Sequence, residues 1–207
     1  MTKTKRFINI LFLCALTLGA LAVALILYLP HADYGFAQEV SDTEASLRQK
    51  VVETAQGYLG CKEADGSHQG IIDLYNSHEP LAEGYIVQYT DDWCATFGSA
   101  VAISCGLTDI IPTECGCQRQ IKLFADLGRW EENDNYLPLP GDYIFYAWGE
   151  IPFGDCSGWA DHVGIVVGTF GPFIKVIEGN KDDSVAYRYI LRGHPEIRGY
   201  GLPDYSR

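Results

Sequence analysis

The sequence is poor in basic residues. Lys and Arg number 15 against 27 Asp and Glu, which gives a formal net charge of −12. Residues 1–37 hold three of the basic residues and one of the acidic ones, so residues 38–207 keep 12 basic and 26 acidic residues. No basic patch remains, and this argues against nucleic acid or an anionic membrane surface as the main partner.

Other features are also missing. The chain has no internal repeat and no low-complexity linker, and residues 38–207 suffice for one domain with a core. The pair Cys115 and Cys117 is too closely spaced for the usual zinc motif, and no second pair completes it. We therefore expect no metal site.

The N-terminus has the composition of an export segment. Basic residues in 1–6 precede an apolar run at 7–29, and small residues follow at 35–37. This layout is typical of a secretory signal, but the run is also long enough to span a bilayer. We predict that 1–37 is either a cleaved signal peptide or a membrane anchor. The rest of the protein would then be secreted or membrane-anchored, outside the cytoplasm.

Periodicity divides the rest of the chain into helices followed by strands. Ser41 and Glu44 fit a capping box before a helix at 43–59, and residue 117 opens another helix that runs to 127. Between them, Asp92 is the expected N-cap of a helix that ends at Gly106. The predicted strands are 143–148, 162–168, 173–179, 185–190 and 197–200. This order predicts an α+β domain over 46–207, with helices packed on an antiparallel sheet, after a linker at 38–45.

Seven cysteines raise the question of which, if any, is a nucleophile. A nucleophilic thiolate needs a lowered pKa and nearby backbone N–H groups, and the first turn of a helix supplies both. Cys94 lies at the start of an apolar helix. Cys156, in the stretch GDCSG, is followed by Gly158 and lies only five residues before the strand that begins at His162. We therefore predict Cys94 as the nucleophile. The disulfide pairing stays open among Cys61, Cys105, Cys115, Cys117 and Cys156.

A hairpin supplies the partners of this cysteine. A three-residue loop at 169–171, with Gly171 left-handed, would put His162 opposite Glu178 and on the same sheet face as Asn180. His162 would accept the thiol proton, and Glu178 would fix the ring, with Asn180 assisting. The remaining histidines are weaker candidates for chemistry: His31, His68, His78 and His194.

Four motifs together resemble CHAP domains, the cysteine, histidine-dependent amidohydrolase/peptidases. They are 92–95 (DWCA), 140–142 (PGD), 161–166 (DHVGIV) and 176–180 (VIEGN). The resemblance implies a papain-like α+β fold, as in the wider NlpC/P60 superfamily, without metal or cofactor. It also implies that Cys94 is the nucleophile, His162 the base, Glu178 the third member and Asn180 an auxiliary residue. GDCSG resembles the NlpC/P60 cysteine motif, but there the histidine comes much later.

The activity that this resemblance implies is hydrolysis of an amide bond in peptidoglycan. The enzyme would be an exported monomer, either an N-acetylmuramoyl-L-alanine amidase or an endopeptidase of the stem peptide or cross-bridge. Two alternatives remain: a non-catalytic binding module of the cell envelope with the same fold, and a hydrolase of another extracellular amide. No wall-binding repeats follow the domain.

Aromatic and acidic residues near the nucleophile are the candidates for substrate binding. Aromatic walls suit sugar and peptide ligands. The predicted residues are Tyr89, Asp92, Trp93 and Trp159, with Asp91 and Trp148 as further possibilities. Gln88 lies six residues before Cys94, at the spacing of the oxyanion-hole glutamine in papain-like enzymes, but the residues between them do not match that pattern.

Overall fold

A computed structural model describes residues 40–149 and 157–206. The predicted signal or anchor at 1–37, and Cys156 of the GDCSG stretch, lie outside the described residues. Within the described ranges, no helix is long and apolar enough to cross a membrane.

The described residues form four α-helices, and the first, third and fourth begin near the positions that the sequence predicted. The helices are α1 Asp42–Gly57, α2 Gln69–Asn76, α3 Cys94–Cys105 and α4 Cys117–Asp126. The Ser41 hydroxyl accepts a hydrogen bond from the Glu44 amide at 3.2 Å, which confirms the predicted cap of α1. Helix α1 begins at Asp42, which lies inside the stretch 38–45 predicted as linker.

Six antiparallel strands form one sheet in the order β1-β6-β2-β3-β4-β5. They are β1 Trp130–Glu131, β2 Tyr143–Tyr146, β3 His162–Phe170, β4 Phe173–Lys181, β5 Ser184–Leu191 and β6 Ile197–Gly201. The α+β class with an antiparallel sheet is therefore as predicted. The two-residue β1 was not predicted, because so short a segment shows no alternation.

Helix α3 packs against the middle of the sheet. Ten of its twelve residues are buried, so the helix has no solvent face. The Tyr143 hydroxyl of β2 donates to the Gly98 carbonyl of α3 at 2.8 Å. On β4, a Cβ at Gly179 would collide with Phe97 and Trp93, so the missing side chain allows α3 to approach the strand. This close contact places the first turn of α3 beside β3 and β4.

The turn at 140–142 ties α1 to the start of β2 through a buried carboxylate. Asp142 has no exposed surface, and it accepts hydrogen bonds from the Arg48 guanidinium and the Tyr136 hydroxyl, both at 2.7 Å. Its second oxygen also accepts from the Leu139 amide at 2.8 Å. A charge in this position is stable because every partner is in place.

We expect Asp142→Asn to lower the free energy of unfolding by about 3 kcal/mol, because it removes one partner of a buried ion pair. The loss is at the low end for such pairs because Arg48 keeps an ion pair with Glu44. Urea denaturation followed by tryptophan fluorescence measures it. Asp126→Asn breaks an exposed pair with Lys122 and should cost less than about 1 kcal/mol. Equal losses in the two variants would contradict this account of the turn.

Candidate active site

Cys94 is the first residue of α3, as predicted, but the cap differs from the prediction. Trp93 occupies the N-cap position and makes no side-chain capping bond. Asp92, the predicted cap, accepts a hydrogen bond from the Asn180 amide at 3.1 Å instead. The loop before α3 is thus held to the end of β4, which keeps the helix start close to the hairpin of β3 and β4.

The environment of Cys94 favours a thiolate. Its side chain is buried, with 5% exposed. Hydrogen bonding from the Cys117 thiol lowers the pKa of Cys94 most; burial opposes this, and His162 together with the Val163 amide adds to it, giving a pKa of about 5. The helix bonds of α3 begin with Phe97 N–H to Trp93 C=O at 2.8 Å, so the earlier first-turn N–H groups have no partner inside the helix. These groups can stabilise negative charge at the sulfur and beside it.

His162 is held between the thiol and a buried carboxylate. Its Nε2 lies 3.1 Å from Glu178 Oε2, so Nδ1 is the nitrogen left to interact with Cys94. Burial lowers the pKa of His162, but the hydrogen bonds to Cys94 and Glu178 outweigh it and raise that pKa to about 9. With Cys94 near 5 and His162 near 9, the pair is a thiolate and an imidazolium at neutral pH.

Glu178 keeps its charge in a fully buried position. Burial by itself raises the pKa of this carboxyl, but His162 and Arg188 more than compensate and the pKa is lowered. Arg188 Nε lies 2.7 Å from Oε1 and 2.9 Å from Oε2. The carboxylate is therefore fixed from two sides, and it can orient the imidazole.

His162 and Glu178 share a sheet face for a reason that differs from the prediction. The three-residue loop is wrong: β3 ends at Phe170 and β4 begins at Phe173, opposite it. Gly171 is left-handed, with φ 55°, as predicted. A two-residue loop alone would turn His162 to the other face, but a β-bulge between Val166 and Gly168 shifts the register by one residue. The bulge puts His162 and Glu178 back on the same face, but Ile165 pairs with Ile177, so Glu178 is not directly opposite His162 as predicted.

A glycine makes room for the carboxylate. Beyond the bulge, Ile165 pairs with Ile177, which leaves Gly164 next to Glu178. A Cβ on Gly164 would lie 2.7 Å from Glu178 Cγ and 2.5 Å from Val176 Cγ1. Any larger residue at 164 would displace the side chain that holds His162.

Asn180 lies at the edge of the site. It has a left-handed backbone, with φ 53°, and donates to Asp92. Together with His162, Trp148 and Arg188 it lines an open cavity of about 290 Å³. Because Glu178 already occupies His162 Nε2, the structure places Asn180 as a bridge to the α3 loop and a wall of the cavity.

The predicted substrate-binding residues are divided between surface and core. Trp93 has no exposed surface, and its indole donates to Glu63 at 3.0 Å, so its assignment to the substrate wall is wrong. Asp92 is exposed and lines a second cavity of about 400 Å³, together with Tyr85 and Arg119. Tyr89 is 44% exposed and Trp159 74% exposed, so both are available to a ligand.

Two further predicted neighbours have clear positions. The Gln88 side chain donates to the Ile86 carbonyl at 2.8 Å, so its amide is directed to its own loop and not to an oxyanion. Trp148 is 38% exposed and stacks on Tyr146, with its ring centroid 5.9 Å from that of His162. Trp148 therefore belongs to the histidine side of the groove.

Sequence reasoning missed two residues of the site, Cys117 and Arg188. Cys117 Sγ lies 3.5 Å from Cys94 Sγ, although 23 positions separate them in the chain. Nothing local predicts that contact. Arg188 had a weak signal: it is a lone charge in the apolar and tyrosine-rich strand β5, two residues beyond Ala186, which pairs with Glu178.

Comparison with known proteins gives a match among the solved structures. No family profile and no curated protein matches the chain. The structure is similar to that of an NlpC/P60 family protein from Bacillus cereus ATCC 10987, with 17% sequence identity and a TM-score of 0.43. The match covers 77% of this chain and 40% of that one, so this chain spans less than half of the other protein.

The ion pair predicts an unusual pH dependence of alkylation. An ordinary thiol loses about tenfold in alkylation rate per pH unit below its pKa. Because the pKa of Cys94 is about 5, we expect its iodoacetamide rate at pH 6 to stay within about threefold of that at pH 8. Cys105, whose pKa is raised by burial, is the internal control and should slow steeply. Peptide mass spectrometry follows both. A parallel fall of the two rates would contradict the ion pair and favour the binding module.

Proposed function

We propose that this protein is a cysteine amidohydrolase and that its substrate is peptidoglycan. The observation that carries the first part is the arrangement of Cys94, His162 and Glu178, with the cysteine at a helix N-terminus. A buried thiolate next to an imidazolium that is fixed by a carboxylate is a costly arrangement, and nucleophilic catalysis accounts for it.

The geometry supports a two-step reaction. The Cys94 thiolate attacks the amide carbonyl, and the oxyanion forms beside the free N–H groups of the first turn of α3. His162 then donates the Nδ1 proton to the leaving amine, which leaves an acyl group on the sulfur. In the second step, His162 accepts a proton from water, and the resulting hydroxide releases the acid. Glu178 holds the ring in the same orientation throughout.

The choice of substrate has separate support. The four motifs resemble those of CHAP domains, which act on peptidoglycan, and the predicted export of the chain fits a substrate outside the membrane. His162 lines an open cavity of about 290 Å³, and Asp92, two residues before Cys94, lines another of about 400 Å³, so there is room for a ligand beside these residues. Large aromatic side chains are exposed on the surface: Tyr85, Tyr89, Trp148 and Trp159.

Digestion of purified peptidoglycan tests the proposal. Mass spectrometry of the soluble products should show new amino groups and identify the bond: free muramoyl carboxylates indicate an amidase, and split stem peptides or cross-bridges an endopeptidase. The control is the same digestion with Cys94→Ala. Absence of products with a Cys94 that still alkylates rapidly at pH 6 would reject peptidoglycan and point to another amide.

A further inference from the structure

Cys94 and Cys117 bring two sulfur atoms close together in the candidate site. Cys94 Sγ and Cys117 Sγ are 3.5 Å apart, and their residues are 5% and 7% exposed. Each cysteine is the first residue of its helix, α3 or α4. A disulfide has an S–S distance of about 2.05 Å, so the sulfurs need to approach by only about 1.5 Å. Two helix N-termini also stabilise a thiolate at this place.

We propose that Cys94 and Cys117 form a modification site, at which a peroxide converts the two thiols into a reversible disulfide that blocks the nucleophile. The inhibition rests on the proposed function, whereas the disulfide itself does not. Cys117 would be the resolving residue, and its position next to the nucleophile would also keep Cys94 from irreversible oxidation.

The oxidation takes place in two steps. The Cys94 thiolate attacks one oxygen of hydrogen peroxide; an S–O bond forms, the O–O bond breaks, and the hydroxide that leaves becomes water by taking a proton. Cys117 Sγ then attacks the sulfenic sulfur; the S–S bond forms, the S–O bond breaks, and the second hydroxide takes the proton of the Cys117 thiol. The two sulfurs lose two electrons in total, and the peroxide is reduced to two waters.

The first step prepares the second. In the reduced site, hydrogen bonding to the Cys94 thiolate, burial and the thiolate charge raise the pKa of Cys117, so it stays a thiol and donates its proton. A sulfenic acid at Cys94 is neutral, so the charge that holds the proton on Cys117 disappears. Cys117 can then ionise and attack the sulfur beside it.

Two other described cysteines, Cys105 and Cys115, have different surroundings. Cys105 Sγ contacts Thr54 Oγ1 at 3.3 Å, at the far end of α3. Cys115 Sγ accepts from the Arg119 guanidinium at 3.6 Å. Neither contact offers a second sulfur, so these two residues serve as controls for the pair.

Non-reducing peptide mapping tests the bond directly. The full chain is treated with hydrogen peroxide near stoichiometry, alkylated, and digested with chymotrypsin, whose cleavage after Trp93 and Phe97 isolates Cys94 on a short peptide. We expect this peptide to be linked to the one that contains Cys115 and Cys117. The link should persist in Cys115→Ser and disappear in Cys117→Ser. A link that follows Cys115, or Cys105, would overturn the proposal.

The second measurement separates reversible from irreversible oxidation. After excess peroxide and then dithiothreitol, we expect about 90% of wild-type Cys94 to be recovered as free thiol, against less than about half in Cys117→Ser, where oxidation proceeds to the sulfinic acid. If the protein is hydrolytically active, the recovered activity should be proportional to the recovered Cys94 thiol. Equal recovery in both proteins would reject the resolving role. If the disulfide forms but the reduced protein has no hydrolytic activity, the proposed function is refuted and the modification site is still supported.

Discussion

Cys94→Ala should reduce the rate of amide hydrolysis by about 10⁴-fold or more, because the variant loses the nucleophile and keeps only the binding groove and oxyanion donors. Cys94→Ser should be nearly as inactive. A hydroxyl in the same place has a much higher pKa, so it is not ionised near neutral pH and is a far weaker nucleophile than the thiolate. The measurement is the initial rate of new amino groups released from peptidoglycan, at equal protein concentration.

Cys105→Ser is the matched control. Cys105 is as buried as Cys94, with 4% exposed, and it lies on the same helix at the opposite end. We expect its rate to stay within about twofold of wild type, since it touches no group that reacts. Circular dichroism of all three variants should show the same helix content. Residual activity in Cys94→Ala near the wild-type rate would reject Cys94 as the nucleophile.

The local signals in the sequence predicted the elements of this fold correctly where the chain's own chemistry fixes them. Ser41 caps α1 because its hydroxyl reaches the amide of Glu44, a contact within one turn. Gly106 ends α3 in the left-handed conformation, with φ 64°. Such features depend on neighbours in the chain, so a sequence is enough to find them.

Features that depend on distant parts of the chain were predicted less well. Asp92 has the right side chain for an N-cap, but its carboxylate accepts a hydrogen bond from Asn180, 88 positions away in the chain. The sequence suggests that Trp93 lines the substrate site, but in the structure it is buried and its indole donates a hydrogen bond to Glu63. The bulge after Val166 cannot be recognised in the sequence, because the residues around it are apolar throughout. It nevertheless shifts the register of the hairpin by one residue.

The candidate site shows the same division. Cys94 could be predicted because it lies at the start of a helix. His162 and Glu178 could be predicted because the alternation of side chains along a hairpin puts them on one face. Cys117 and Arg188 could not, because each contacts these three residues through tertiary packing. Both act on charge: Cys117 donates to the thiolate, and Arg188 to the carboxylate. The residues that set the protonation of the site are thus the ones that the sequence hides.

Glu178→Gln should lower the turnover number by about 10²–10⁴-fold with a small change in KM, because an amide no longer fixes the imidazole with a charge. The buried carboxylate is among the groups that raise the pKa of His162 to about 9. Its removal should therefore lower that pKa. The imidazolium would lose its proton at a lower pH, and the alkaline limit of activity would move in the same direction.

Arg188→Gln distinguishes a charge effect from simple loss of structure. The guanidinium lowers the pKa of Glu178, so that pKa rises when Arg188 is replaced. The carboxylate itself is still present, 3.1 Å from the imidazole. We expect a smaller loss of turnover than in Glu178→Gln and no downward shift of the alkaline limit, because removal of a nearby cation does not destabilise the imidazolium. Both variants should unfold at urea concentrations close to each other, since each breaks the same pair. If turnover of Glu178→Gln falls while its alkaline limit stays at the wild-type pH, Glu178 serves the fold and not the charge of His162.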